Sequence, residues 1–186
     1  MSQREDYRLM TMEEADLENV LKWRNSERIR VNMYTDHIIA IDEHRSWFER
    51  IKQDQSVIYK IFRFQDRPIG VVCFTDIDSR NNKCSWGFYL GVTDVPRRSG
   101  AAMEFLAIEH AFGEMNIRKL CCEIFAFNSN VIKLHKKFGF VEEGHFTKYI
   151  LKNGKYEDVI FLASFKEQWL KLKDQLERLC FVKGTS

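Results

Sequence analysis

The chain has 186 residues, of which 45% are hydrophobic and 30% charged, and its net charge of +2 is nearly balanced. That length suits one domain with a real core. No basic stripe with interleaved aromatic residues predicts a nucleic-acid partner, and no run approaches the roughly 20 apolar residues of a membrane span. The N-terminus has no apolar signal segment, so we expect a cytoplasmic protein.

The five cysteines show neither a CxxC pair nor a Cys/His spacing typical of zinc. We therefore expect no metal site, and interpret the cysteines as small core residues in a reducing compartment. They are Cys73, Cys84, Cys121, Cys122 and Cys180.

The first third of the chain is predominantly helical in pattern. Residues 7–10 are typical of a short strand, and Thr11 followed three residues later by Glu14 predicts a capping box. Apolar residues at helical spacing predict a helix after that box and a second helix with Asp42 as its N-cap. Residues 31–35 form an irregular apolar and aromatic link between the two helices.

The rest of the chain alternates strands with helices and ends in an amphipathic helix. Turn residues at 66–68 and 79–82, and the pair Asn153-Gly154, predict hairpins. Gly139 predicts a left-handed helix cap. The predicted strands cover 57–64, 69–75, 84–92, 119–127, 140–151 and 156–164, and the predicted helices cover 100–115, 130–138 and 166–180.

This order predicts an α+β fold, a mixed central sheet flanked by helices. We predict one domain over residues 1–165 and a C-terminal amphipathic helix and tail over residues 166–186.

The segment Arg97-Arg98-Ser99-Gly100-Ala101-Ala102 follows a predicted strand and opens a predicted helix. The amides at a helix start point outward and carry about half a positive charge, which favours phosphate groups. Gly100 and Ala102 leave the backbone uncovered, and Arg97 has the reach for a further phosphate. Taken alone, the segment also fits a solvated surface loop.

Its spacing resembles the Arg/Gln-x-x-Gly-x-Gly/Ala loop of the Gcn5-related N-acetyltransferase superfamily. Asn128 after the next strand, and a helix that ends before Gly139-Phe140, match a second motif of that family in the same order. The resemblance covers residues 7–164. It implies the acyl-CoA N-acyltransferase (GNAT) fold and an N-acetyltransferase with acetyl-CoA as co-substrate.

The resemblance also implies roles for individual positions. The amides of residues 98–102 would hold the coenzyme A pyrophosphate, the strand at 88–90 would pair with the pantetheine arm, and Asn128 would lie near the thioester. The implied cofactor-binding residues are Phe88, Leu90, Arg97, Arg98, Ser99, Gly100, Ala101, Ala102 and Asn128.

Three residues are candidates for proton transfer. Glu123 interrupts an apolar strand, so it is either the general base in a wet cleft or a structural or edge-exposed carboxylate. Tyr89 either completes a relay or is a core aromatic. His135 stands where the family commonly has a Tyr that protonates the departing thiolate, and it is either that acid or a bystander.

Within the superfamily, three N-terminal segments resemble the N-acetyltransferases of pseudaminic acid biosynthesis: Trp23-Arg24-Asn25, Met33-Tyr34-Thr35 and Glu43-His44-Arg45-Ser46-Trp47-Phe48. Those enzymes acetylate the 4-amino group of UDP-4-amino-4,6-dideoxy-N-acetyl-β-L-altrosamine, a precursor for flagellin glycosylation. The resemblance implies a UDP-amino sugar as acceptor, with helix packing as the alternative role for its aromatic contacts. The implied substrate-binding residues are Arg24, Met33, Tyr34, His44, Trp47 and Thr75.

Other functions remain open from the sequence. A ribosomal-protein N-terminus or a polyamine would use the same scaffold, but the predicted acceptor wall is basic, which favours an anionic acceptor. A sensor that binds coenzyme A without turnover is a second class. The apolar stripe of the last helix, formed by Trp169, Leu172, Leu176 and Leu179, either packs on the sheet or forms a homodimer seam. No cysteine neighbours a His base in sequence, so we expect direct attack in a ternary complex.

Overall fold

The computed structural model describes residues 2–181, which fold around one seven-stranded sheet. Its strands are β1 (Tyr7–Thr11), β2 (Ile58–Phe64), β3 (Arg67–Asp78), β4 (Lys83–Leu90), β5 (Lys119–Phe125), β6 (Val141–Lys152) and β7 (Lys155–Phe165). Within this range the helices are α1 (Leu17–Asn25), α2 (Glu27–Arg30), α3 (Ile41–Gln53), α4 (Ser99–Phe112), α5 (Ser129–Lys137) and α6 (Lys166–Cys180). The predicted mixed α+β architecture is confirmed.

The strand order is β1-β2-β3-β4-β5-β7-β6, and β4 and β5 are the one parallel pair among these neighbours. Side chains alternate between the two faces of the sheet. Phe62 and Phe74 lie in the core of the first face, which α4 and α6 cover. Ile61 and Val71 lie in the core of the second face, which is covered by α1 and α3.

The sheet opens between β4 and β5. The two strands pair over three residues each, from Lys83 with Lys119 to Ser85 with Cys121. Beyond that point β4 continues to Leu90 and β5 to Phe125 without pairing to each other. Residues 86–90 therefore present backbone N–H and C=O groups along an open edge in the middle of the molecule.

Two helix starts differ from the sequence prediction. Thr11 is the last residue of β1, because the Met12 amide still donates to the Tyr59 carbonyl (3.2 Å) and keeps the chain extended. The capping box forms instead from Glu13, whose amide donates to the Asp16 carboxylate (3.0 Å). The second predicted helix, α3, has Ala40 as its N-cap, and Asp42 lies inside the first turn, where the helix dipole favours its charge.

Other boundaries of helices and strands also differ from the sequence prediction. The sequence analysis missed the short helix α2, and the turn predicted at 66–68 lies at Gln65 and Asp66, which both have positive φ. Arg67 already belongs to β3, which extends to Asp78 through a bulge after Thr75. Long-range pairing with β2 and β4 sets this length, so local turn signals did not predict it.

The final helix, α6, packs within the chain. Trp169 is buried and lies 5.1 Å from the Phe105 ring of α4, centroid to centroid. Leu176 and Cys180 lie in the same core. Of the two alternatives for this stripe, the structure shows packing against the core. Among residues 2–181, no helix is both long and apolar enough to cross a membrane.

Candidate active site

The start of α4 is held by a rigid turn. Arg98, its N-cap, has a left-handed backbone with φ of 77°. The Ser99 hydroxyl is buried, donates to the Pro96 carbonyl (2.8 Å) and lies 3.0 Å from the Tyr7 hydroxyl. The Arg98 guanidinium donates to the Leu179 carbonyl (2.8 Å), so its side chain reaches towards α6.

Two backbone amides at this helix start can donate hydrogen bonds to a ligand. The Ser99 amide donates to Pro96 and the Ala102 amide to Arg98, whereas those of Gly100 and Ala101 have no acceptor within residues 2–181. A Cβ at Gly100 would meet just the Leu90 side chain, at 3.9 Å. The chain itself therefore does not require glycine here, and the open space and free donors fit a diphosphate.

The open edge of β4 ends beside this turn. Phe88 and Leu90 face the first side of the sheet and Tyr89 faces the second. The Arg28 guanidinium donates to the carbonyls of Leu90 (2.9 Å) and Gly91 (3.1 Å), which fixes the strand end against α2. The expected pantetheine edge and the expected pyrophosphate turn are thus continuous in space.

Glu123 lies on β5, on the far side of the opening and on the second face. The Tyr34 hydroxyl donates a hydrogen bond to its carboxylate, and the Tyr34 ring contacts Phe125 edge-on at 5.3 Å. Partial burial and the bond to Glu123 raise the pKa of Tyr34, so the phenol stays protonated and remains a donor. Both residues are exposed, so Glu123 is accessible to solvent and its partner is neutral.

A half-buried polar group on the same face of the sheet is formed by Tyr59, Cys73 and Tyr89. Burial raises the pKa of Tyr89 and of Tyr59, and raises that of the Cys73 thiol to about 11. The Cys73 thiol donates to the Gly87 carbonyl (3.5 Å). Because this thiol is protonated at neutral pH, it is a poor nucleophile, which agrees with direct attack.

Three cations surround the loop at residues 31–36, and main-chain carbonyls hold all of them. Arg24 donates to the Thr35 carbonyl (3.2 Å), Arg30 to the Asp36 carbonyl (2.7 Å) and Lys152 to the Met33 carbonyl (2.7 Å). Arg24 Nη1 and Arg30 Nε are buried without a hydrogen-bond partner in the described chain. Partial burial lowers the pKa of Arg24, and burial lowers that of Lys152.

The remaining predicted acceptor residues are less open. His44 is 3% exposed, its Nε2 lies 3.2 Å from the Leu17 carbonyl, and its ring stacks on Trp47 at 5.0 Å. Burial lowers the pKa of His44, which favours the neutral ring. Thr75 is half-buried, and its hydroxyl donates to the Asp76 carboxylate at 3.4 Å. We leave His44 and Trp47 out of the acceptor site proposed below, because packing accounts for both.

His135 and Asn128 lie at the two ends of α5. His135 is 2% exposed, and its Nδ1 lies 2.7 Å from Oε1 of Glu104, which is fully buried on α4. Asn128 is the N-cap of α5, and its carbonyl accepts from Val131 and Ile132, both at 3.2 Å. The Asn128 side chain is half-buried and makes no capping hydrogen bond.

Three residues near these groups were not predicted individually from the sequence: Glu104, Arg30 and Lys152. A signal existed for Glu104, since it lies between Met103 and Phe105 in an otherwise apolar helix segment. Lys152 lies next to the hairpin turn, where a lysine is ordinarily exposed, so its burial at 5% had no sequence signal. Among the described residues, no group of three or more His, Cys, Asp or Glu is arranged to hold a metal ion.

The sequence and the fold are similar to those of known acetyltransferases. A family model described as an acetyltransferase (GNAT) domain matches residues 9–161. The acetyltransferase PseH of Campylobacter jejuni is 27% identical over 136 residues, 72% of this chain and 78% of the relative. An uncharacterised N-acetyltransferase, YokL, of Bacillus subtilis is 28% identical over 127 residues, covering 67% and 71% respectively.

Among solved structures, the spermidine N-acetyltransferase of Vibrio cholerae in complex with CoA and spermine superposes with a TM-score of 0.83. It is 20% identical and covers 89% of this chain and 99% of its own. This likeness confirms the fold expected from the resemblance.

Proposed function

Because this chain belongs to the GNAT acetyltransferases, and is therefore an N-acetyltransferase with acetyl-CoA as its acetyl donor, we propose that its acceptor is the 4-amino group of a UDP-linked amino-dideoxy sugar. One observation carries the choice of acceptor: the cluster of Arg24, Arg30 and Lys152 at the acceptor end of the cleft. In the described chain none of the three forms an ion pair with a carboxylate within 4.0 Å.

Charge decides between the acceptors. A polyamine is a multiple cation at neutral pH, so it would approach these three cations against their repulsion. A nucleoside diphosphate is attracted by them, and the planar guanidinium of arginine suits phosphate oxygens. In a partly buried cleft both effects are stronger than in bulk water. The cluster therefore supports an anionic acceptor.

In the proposed reaction Glu123 takes the proton of the attacking amine. An ordinary alkyl amine, with a pKa near 10.4, is neutral in roughly one molecule in 2,500 at pH 7, which adds about 4.6 kcal/mol to the barrier. An amine on a sugar ring starts lower, so less help is needed. Tyr34 holds the carboxylate in place, and Tyr89 is the candidate for a relay behind it.

The chain's own groups position acetyl-CoA in this proposal. The amides of Gly100 and Ala101 receive its diphosphate, Arg97 is exposed beside them, and the open edge of β4 guides the pantetheine arm. Asn128 lies at the start of α5, and its side chain makes no capping bond. Acetyl-CoA supplies the activated thioester.

The pseudaminic acid pathway is the setting that we propose. Similarity to acetyltransferase PseH and the three N-terminal segments support it. A cytoplasmic location is part of the proposal, and the five free cysteines support it. The second candidate is a polyamine acetyltransferase, favoured by 21% identity over 163 residues to the spermidine N(1)-acetyltransferase of Vibrio cholerae.

A thiol-release assay with acetyl-CoA tests the acceptor. The UDP-linked 4-amino sugar, spermidine and a ribosomal-protein N-terminal peptide are compared by kcat/KM. We expect turnover of the UDP-amino sugar at least about 100-fold above the other two. Higher kcat/KM with spermidine would overturn the acceptor assignment, and release with none of them would indicate a coenzyme A sensor.

A matched pair of variants localises the anion contact. Arg24→Ala is expected to raise KM for the sugar by roughly 10- to 100-fold, the loss of one or two charged hydrogen bonds, with KM for acetyl-CoA unchanged. Arg8→Ala is the control, because Arg8 is exposed on β1 and pairs with Asp66. Equal effects of the two changes on KM for the sugar would contradict the assigned role of Arg24.

A further inference from the structure

A buried hydrogen bond connects the two helices next to the open edge of β4. Glu104 lies in α4, one turn after the proposed diphosphate site, between the fully buried side chains of Met103 and Phe105. Its Oε1 is 2.7 Å from Nδ1 of His135 in α5. Its Oε2 is buried and has no hydrogen-bond partner in the described chain. A carboxylate in such a place is costly, so a specific use is expected.

The second ring nitrogen of His135 faces away from Glu104, because the two nitrogens of an imidazole lie on opposite sides of the ring. The ring packs against Trp86 (5.2 Å), Phe88 (5.6 Å) and Phe140 (5.0 Å), centroid to centroid. Trp86 and Phe88 belong to the unpaired stretch of β4. His135 therefore lies between Glu104 and the edge along which the pantetheine arm is proposed to run.

Glu104 acts on two other titratable groups, Cys122 from β5 and Cys180 from α6. Burial raises the pKa of both thiols, that of Cys180 to about 12, so both are neutral at physiological pH. Burial raises the pKa of Glu104, and His135 opposes that shift. His135 is thus the partner that favours the carboxylate form of Glu104.

We propose that Glu104 is a positioning residue for acetyl transfer: it accepts the Nδ1–H of His135 and thereby aims Nε2–H at the sulfur of the departing coenzyme A. The inference rests on the proposed acetyl transfer, although not on the identity of the acceptor. Glu104 is outside the roles implied by the family resemblance, which concern a tyrosine at the position of His135.

The proton and electron balance of this step is simple. The amine nitrogen forms a bond to the acetyl carbon and loses its proton to Glu123. The bond between that carbon and sulfur breaks, and its electron pair stays on sulfur. The Nε2–H bond of the imidazolium breaks, and the proton forms the S–H bond of free coenzyme A. His135 becomes a neutral imidazole that still donates Nδ1–H to Glu104. After coenzyme A leaves, water returns a proton to Nε2.

Kinetics of four variants provide the first test. His135→Phe is expected to lower kcat roughly 100-fold, and Glu104→Gln between about 10- and 100-fold, with KM for acetyl-CoA unchanged within about 2-fold. The double variant should be no slower than His135→Phe, since the two residues act as one unit. Glu109→Gln is the control, because Glu109 is on the same helix but pairs with Arg4 and Lys173.

A pH profile separates positioning from mere stability. The basic limb of kcat should move to lower pH in Glu104→Gln, because the imidazolium has lost its anionic partner. An unmoved limb, or full additivity of the two single changes, would overturn the proposal.

Nitrogen NMR of His135 in the wild-type protein needs neither an acceptor nor a folded variant. Nδ1 should carry a proton, and coenzyme A should shift the Nε2 resonance whereas desulfo-coenzyme A should not. Equal shifts with both ligands would place Nε2 away from the sulfur and refute the inference. Failure of the UDP-sugar assay would leave this result intact, so the two failures are distinguishable.

Discussion

The replacement Gly100→Ala separates the requirements of the fold from those of the ligand. The added Cβ would approach no protein atom closer than the Leu90 side chain at 3.9 Å, an ordinary contact distance. Gly100 has no positive φ, so alanine fits its backbone. The free protein therefore gives no reason for glycine at this position, whereas a diphosphate resting on the Gly100 amide would collide with the methyl group.

The expected magnitudes have opposite signs. Alanine in place of a helical glycine should stabilise the free protein by about 0.5–1 kcal/mol, because the unfolded chain loses conformational freedom. Displacement of the diphosphate from one amide should cost about 1.5–3 kcal/mol of binding, the range of a charge-assisted hydrogen bond. This corresponds to a roughly 10- to 100-fold weaker Kd for coenzyme A.

Urea unfolding measures the first quantity and isothermal titration with coenzyme A the second. Gly144→Ala on β6 is the matched control, since its Cβ would also meet only ordinary contacts, the nearest at 3.6 Å. The control should leave Kd unchanged. An unchanged Kd in Gly100→Ala would show that the diphosphate does not lie on this helix start, and the cofactor site would have to be sought elsewhere.

Two further predictions concern carboxylates. Glu123→Gln should lower kcat at neutral pH by about 100-fold or more. The activity should be partly rescued at high pH, because the neutral fraction of the amine grows. If steady-state assays show an unchanged kcat, Glu123 is not the general base. Asp158 accepts hydrogen bonds from the Lys148 amide (2.7 Å) and His145 (2.8 Å), which lower its pKa. The stability that these hydrogen bonds contribute is therefore present above a pH of about 3.9, and it is lost as the pH falls through the lower pKa of Asp158 in the folded state. The NMR shift of the Lys148 amide should titrate below about pH 3.9. A midpoint at or above about 3.9 would contradict the hydrogen bond.

Some parts of this fold could be predicted from the sequence, because local backbone conformation determines them. Asn153 and Gly154 have φ of 49° and 76°, the left-handed pair that a two-residue hairpin requires, and the turn lies where it was predicted. Gly139 has φ of 86° directly after α5, as a left-handed helix cap does. In both cases the conformation of the residue itself selects the residue type.

Contacts between distant segments were not readable in this way. Tyr34 and Glu123 are 89 positions apart, and the sequence analysis assigned one to the acceptor and the other to catalysis without pairing them. Glu104 and His135 are 31 apart on different helices. His44 is among the substrate-binding residues that the resemblance implies, yet the packing of α3 on α1 places its ring 3.2 Å from the Leu17 carbonyl. Tertiary packing alone determines these partners, so local sequence patterns do not predict them.

In the proposed mechanism, the separation of β4 from β5 keeps the base and the acid on different sides of the thioester. Glu123 faces the second side of the sheet, whereas its neighbours Cys122 and Ile124 face the first side, because side chains alternate along β5. His135 packs on the first side, against Phe88, and contacts Glu104. Two such groups in direct contact would neutralise each other by forming an ion pair. In the proposed mechanism the open edge keeps them on opposite faces, so a thioester lying along that edge meets the amine and its base from one side and the proton for sulfur from the other.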